Sequence, residues 1–61
     1  MTRDYALRKL LEHGELTFGE IVEITGWSRP HAWKAIQKLM LQGCIDAFGP
    51  FRKARYALIY G

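Results

Sequence analysis

The chain predicts a small α+β domain, three helices followed by a two-stranded antiparallel hairpin, spanning residues 1–61 as one unit. Three observations carry this. Apolar residues recur at helical spacing in three blocks up to residue 42. Each block starts at a capping residue and stops near a glycine. After Gly43 the period shortens to two, and aromatic and β-branched residues alternate with polar ones.

The first helix is expected over residues 3–13, where Leu7, Leu10 and Leu11 share one face and Ala6 widens it. Thr2 is its N-cap, His13 closes it, and Gly14 supplies the stop. "ELT" at 15–17 reads as a short extended link with Leu16 turned inward. "TFGE" is a capping box, in which Thr17 and Glu20 satisfy each other's free N–H groups. Phe18, Ile21, Val22 and Ile24 then form the apolar stripe of a second helix that ends at Gly26. A helix of little more than two turns does not persist alone in water, so it must pack. Only "GWS" separates it from the third helix, which Ser28 caps and Pro30 starts. Ala32, Ala35, Ile36 and Leu39 give that helix its buried stripe, and Trp27 in the turn is assigned to the core. "CIDAF" is expected as a strand, "GPF" as a turn, and "KARYALIY" as the returning strand, with Tyr56, Leu58 and Tyr60 on one face. Phe48 and Phe51 flank the turn and are expected to close the hairpin onto the core, with exposure of one of them at the tip as the alternative. A lone hairpin is marginal in water, so this one must lie on the helices.

Length and charge narrow the function classes. Of 61 residues, 49% are hydrophobic, enough for a core, but a domain this short buries only about 60% of its unfolded surface. Cys44 is the only cysteine, so no disulfide staples the chain within itself, and it is expected as a small buried apolar residue. No leader or membrane-length apolar run is visible, and an intracellular, cytoplasmic and nucleoid-associated location is the expectation, with no membrane partner. The net charge of +3 is unevenly spread. Five of the six acidic residues precede residue 24, while six of the nine basic ones lie between Arg29 and Arg55.

The order of these elements resembles the winged helix-turn-helix DNA-binding domains of bacterial and phage transcription regulators. "LTFGEIVEITGWS" is similar to that family's second helix and turn, with Glu20, Ile21 and Val22 where an acidic, apolar, small triplet is usual. "SRPHAWKAIQKLMLQGCI" is similar to its recognition helix running into the first wing strand, and residues 45–59 match the wing. Two positions depart from the pattern. Gly19 stands where alanine is more usual, at about 1 kcal/mol of helix propensity, and Ala32 is smaller than the branched residue expected there.

That resemblance implies sequence-specific binding to double-stranded DNA by a small transcriptional regulator. The helix 28–42 would enter the major groove and the wing 48–55 would lie on the backbone or minor groove. The residues assigned to DNA are Ser28, Arg29, His31, Trp33, Lys34, Gln37 and Lys38 on the helix, and Arg52, Lys53 and Arg55 on the wing. Arg29 suits guanine and Gln37 adenine, while Lys34 and Lys38 suit phosphates. A basic helix face is often only a solvated surface, but no acidic residue balances this one between Glu23 and Asp46. The wing cations have their own ordinary reading, as charges that keep edge strands from pairing. Trp33 divides between a DNA contact, a partner chain and its own scaffold.

Other chemistry has little support. One cysteine and two histidines do not make a closed zinc site. No phosphate-binding glycine loop, paired-carboxylate motif or nucleophile beside a base is present, so an enzyme is not expected, nor a cofactor. No effector region is visible, and the simplest regulator of this size senses no small molecule. A homodimer on paired half-sites is the expected assembly. The alternative is a protein–protein interaction module of the same fold, docking through Trp33, Met40 and Leu41.

Overall fold

The computed structural model describes residues 2–59, and of Phe51 the backbone alone. Three helices come in chain order with a small sheet: α1 (Arg3–Leu11), β1 (Leu16–Thr17), α2 (Phe18–Thr25), α3 (Arg29–Leu41), β2 (Ile45–Phe48) and β3 (Arg55–Leu58). The sheet is antiparallel in the order β1-β3-β2, so β3 is its central strand.

The sheet corrects the expectation of a two-stranded hairpin. Leu16 pairs with Tyr56 and Thr17 with Arg55, which turns the expected link into a third strand. The physical reason is the second edge of β3, whose N–H and C=O groups need partners once β2 has taken the first. Residues already extended ahead of a helix cap supply them. The strands are also shorter than expected, since Lys53 belongs to a single 3-10 turn, Phe51–Lys53, between β2 and β3. Cys44 lies ahead of β2, yet its carbonyl still accepts the Ile59 N–H at 2.9 Å. Tyr60 lies outside the described residues.

The helix starts follow their caps. Thr17 Oγ1 accepts the Glu20 N–H at 3.2 Å, and the Glu20 carboxylate accepts the Thr17 N–H at 2.9 Å, completing the capping box. These bonds hold the Glu20 carboxyl below its ordinary pKa, the Thr17 backbone N–H contributing most. Gly26 ends α2 in the left-handed conformation (φ 74°) that a side chain resists, and its N–H bonds the Val22 carbonyl at 2.9 Å. The Thr25 hydroxyl donates to the Ile21 carbonyl at 2.7 Å and accepts the Trp27 N–H at 3.2 Å, which stitches the turn into α3. α1 stops earlier than expected, at Leu11, so His13 stands beyond it. The i→i+3 bonds of Glu12, His13 and Gly14 tighten the chain there instead of continuing the helix.

The core sits where the three helices meet the sheet. Leu7, Leu11, Ile21, Ala32, Ala35, Ile36, Leu39, Ile45 and Tyr56 are buried. Full burial of a leucine or isoleucine such as Leu7 or Ile36 contributes about 1.5–3 kcal/mol. Trp27, Phe18, Met40 and Cys44 pack against this core while remaining partly exposed. Two large apolar residues, Ile24 and Phe48, stand exposed. Ile24 is 58% exposed because the short α2 meets its neighbours along one side only, and Phe48 is half exposed at the end of β2. The side chain of Phe51 lies outside what is described. Among the described residues, no helix is long and apolar enough to cross a membrane.

Candidate nucleic-acid interface

Successive residues of a helix turn by about 100°, which distributes the expected site residues of α3 over two flanks and an outer row. The buried stripe of Ala32, Ala35, Ile36 and Leu39 fixes the orientation. Arg29, Trp33 and Met40 then lie on the flank toward α2 and the hairpin. His31 and Lys38 lie on the flank toward α1, and Lys34, Gln37 and Leu41 project between the two.

The hairpin flank is organised by Phe18, the first residue of α2. Its ring meets the Trp33 indole edge-on, with centroids 6.1 Å apart and planes at 76°. The Arg29 guanidinium lies 6.0 Å from the same ring, at the outer range of a cation–π contact. Trp33 is therefore part of its own scaffold on one side, while 46% of its surface remains exposed. Together with Met40, Tyr56 and the hairpin residue Arg52, these groups wall an open cleft of about 840 Å³. An adjoining cleft of about 410 Å³ shares Phe18, Arg29, Arg52 and Tyr56 and adds Thr17 and Lys53. The structure thus brings Arg29, Arg52 and Lys53 around one opening. Among the described residues no carboxylate lines either cleft.

The flank toward α1 differs. Lys38, expected on the outward reading face, places its Nζ 3.7 Å from Asp4 of α1. The reason is geometric: Lys38 follows Ala35 toward the side on which α1 packs, and Asp4 meets it there. The Asp4 carboxyl is held below its ordinary pKa, chiefly by the Thr2 hydroxyl and in smaller part by Lys38. At the start of α3, Ser28 Oγ lies 2.8 Å from His31 Nδ1 and accepts the His31 N–H at 3.4 Å. A hydroxyl has one donor and two acceptor positions, so it can cap the helix and orient the imidazole at once. Ser28 thus holds the helix start and keeps one acceptor position open to solvent, and His31 is exposed beside it.

The remaining residues are simpler. Lys34 is exposed and, among the described residues, makes no salt bridge. Gln37 is half-buried. Arg52 and Lys53 are exposed on the 3-10 turn. Arg55 pairs in register with Thr17 on one side and Phe48 on the other, and its charge acts on Glu20, so it stands at the first rung of the hairpin beside the start of α2. Of the three residues of the alternative docking surface, Trp33 and Met40 share the cleft on the hairpin flank, while Leu41 stands 87% exposed on the outer row.

Phe18 and Tyr56 are the site residues that sequence patterning assigned to packing alone. No local spacing relates Phe18 to Trp33 or Arg52, because the contacts join separate elements. The one available signal was that an aromatic residue directly after a cap sits at a helix entrance, next to whatever crosses it. Compared with family models, curated proteins and solved structures, the chain matches none of them.

Proposed function

We propose that this domain is a winged helix-turn-helix protein that binds double-stranded DNA sequence-specifically, most simply as a small transcriptional regulator. In this reading α3 enters the major groove and the hairpin lies on the adjacent backbone. The observation that carries it is the meeting of Arg29 with Arg52 and Lys53 around one opening without any carboxylate among the described lining residues. Two basic segments more than twenty residues apart in sequence form one continuous cationic surface. Lys34 extends that surface along the outer row of α3, beside Gln37, which supplies both donor and acceptor for a base edge.

In this reading two of the expected roles are exchanged: Arg29 joins Arg52 and Lys53 on the phosphate backbone, Lys34 joins Gln37 at the groove floor, and Lys38 meets Asp4. A homodimer on paired half-sites would supply the affinity that one small module lacks.

Selection from a random DNA pool, followed by anisotropy titration, tests this reading. A defined motif should be enriched, and affinity should fall steeply with salt as counterions are released. The double variant Arg29→Ala/Lys34→Ala should lose binding while its thermal midpoint stays near that of the parent. Enrichment of no motif, salt-independent binding, or full binding by the double variant would overturn it.

A further inference from the structure

The larger cleft has a lining that a phosphate backbone does not require. Its walls are the rings of Phe18, Trp33 and Tyr56 with the Met40 thioether, and two guanidiniums, Arg29 and Arg52, stand at it. Tyr56 is the informative residue. It is more than nine-tenths buried, yet no hydrogen bond among the described residues engages its hydroxyl. That hydroxyl is not sealed from solvent either, and Tyr56 lines both clefts. A solvent-accessible hydroxyl on a buried ring at the wall of an apolar cleft is free to exchange water for a ligand oxygen.

We propose that this cleft binds small aromatic carboxylates, the ring lying among Phe18, Trp33, Met40 and Tyr56 and the carboxylate meeting Arg29 and Arg52. Its volume of about 840 Å³ falls in the range of small-molecule sites, which combine apolar walls with a few convergent polar groups. Guanidiniums bind carboxylates through paired, charge-assisted hydrogen bonds. Among the described residues neither arginine is in a salt bridge, so no internal carboxylate competes. The Tyr56 phenol, protonated at neutral pH like any tyrosine and pushed further from ionisation by burial, is a neutral donor for the same ligand oxygen. Because Arg29 and Arg52 are also assigned to the DNA backbone, the ligand competes with DNA. That consequence, unlike the site itself, rests on the DNA-binding reading.

The test is an NMR titration of the whole domain with 2-naphthoate in the absence of DNA, with 2-naphthylmethanol as the uncharged counterpart. Saturable shifts are expected at the Trp33 indole N–H and at the Ala47 and Tyr56 amides. Both the alcohol on the parent domain and 2-naphthoate on Arg52→Ala should bind about tenfold or more weakly, the loss expected for a charged hydrogen bond. Tyr56→Phe, which keeps the ring, should weaken binding severalfold without unfolding the domain. Absence of saturable shifts, or equal binding of acid and alcohol that Arg52→Ala leaves unchanged, would overturn the site. Saturating 2-naphthoate should also release bound DNA, and undisturbed DNA affinity would overturn the competition. If 2-naphthoate binds and DNA does not, the DNA-binding reading falls and the ligand site stands. If DNA binds and 2-naphthoate does not, the ligand site falls alone.

Discussion

The two flanks of α3 carry similar residues to different ends. On the hairpin side, Arg29 lies against an aromatic ring and shares its cleft with Arg52, with no acid among the described lining residues. On the α1 side, Lys38 meets Asp4 at 3.7 Å. In sequence the two cations look alike, one at each end of a basic helix. Their difference teaches that a charge counts for binding only after its neighbours are known: among the described residues the cations of one side make no salt bridge, and on the other side one of them meets an acid of α1.

The comparison can be broken most severely at the stripe both flanks share. Ile36→Ala should cost about 2–5 kcal/mol in chemical denaturation, against a total stability of about 3–9 kcal/mol for a chain this short. Both flanks should then be lost together, seen as a non-cooperative or absent unfolding transition. A sharper test sets Arg52→Ala against Lys38→Ala in DNA titrations across salt. Arg52→Ala should weaken binding to all sequences alike and reduce the log–log salt slope by about 1. Lys38→Ala should change the slope by less, because the Asp4 carboxylate 3.7 Å away offsets part of that charge.

The cap that places Phe18 allows the cleft flank to be loosened alone. Thr17→Ala should cost about 1 kcal/mol and broaden the Trp33 resonances, leaving contacts between α1 and α3 in place. The same box has a pH signature. The Glu20 carboxyl has a lowered pKa in the folded state, so its contribution is complete above its ordinary value of 4.5 and is lost as pH falls through the lowered one. Acid titration of the thermal midpoint should show this loss, and Glu20→Gln should flatten it. The smallest effect is expected at Gly19, where an added methyl group meets nothing within 4 Å. Gly19→Ala should raise stability by up to about 1 kcal/mol, less if the first turn is tolerant, and thermal melts would measure it.

Much of the architecture was legible because it is local. Thr17 with Glu20, Ser28 with Pro30, and Gly26 each announce a helix boundary within four residues of themselves, and the structure places the boundaries there. The third strand was not legible, since Leu16 and Thr17 are too short a run to show alternation and take their conformation from the edge of β3. Ile24 continues a helical spacing yet stands 58% exposed beside Leu10 and Leu16. At the candidate site, the exposed cations Arg29, Lys34, Arg52 and Lys53 could be named from spacing. Their partners could not.

The sequence by itself determined the three helices, their caps, the buried stripe of α3 and the basic character of the chain after residue 28. These depend on interactions between residues a few positions apart, which periodicity and capping chemistry record directly. Only the tertiary structure decided that Leu16–Thr17 is a strand, that Lys38 pairs with Asp4, and that Phe18, Trp33 and Tyr56 wall one cleft with Arg29 and Arg52. Each of those joins elements distant along the chain. Their meeting is set by how the core stacks α1, α2 and the sheet around α3, and no local spacing encodes it.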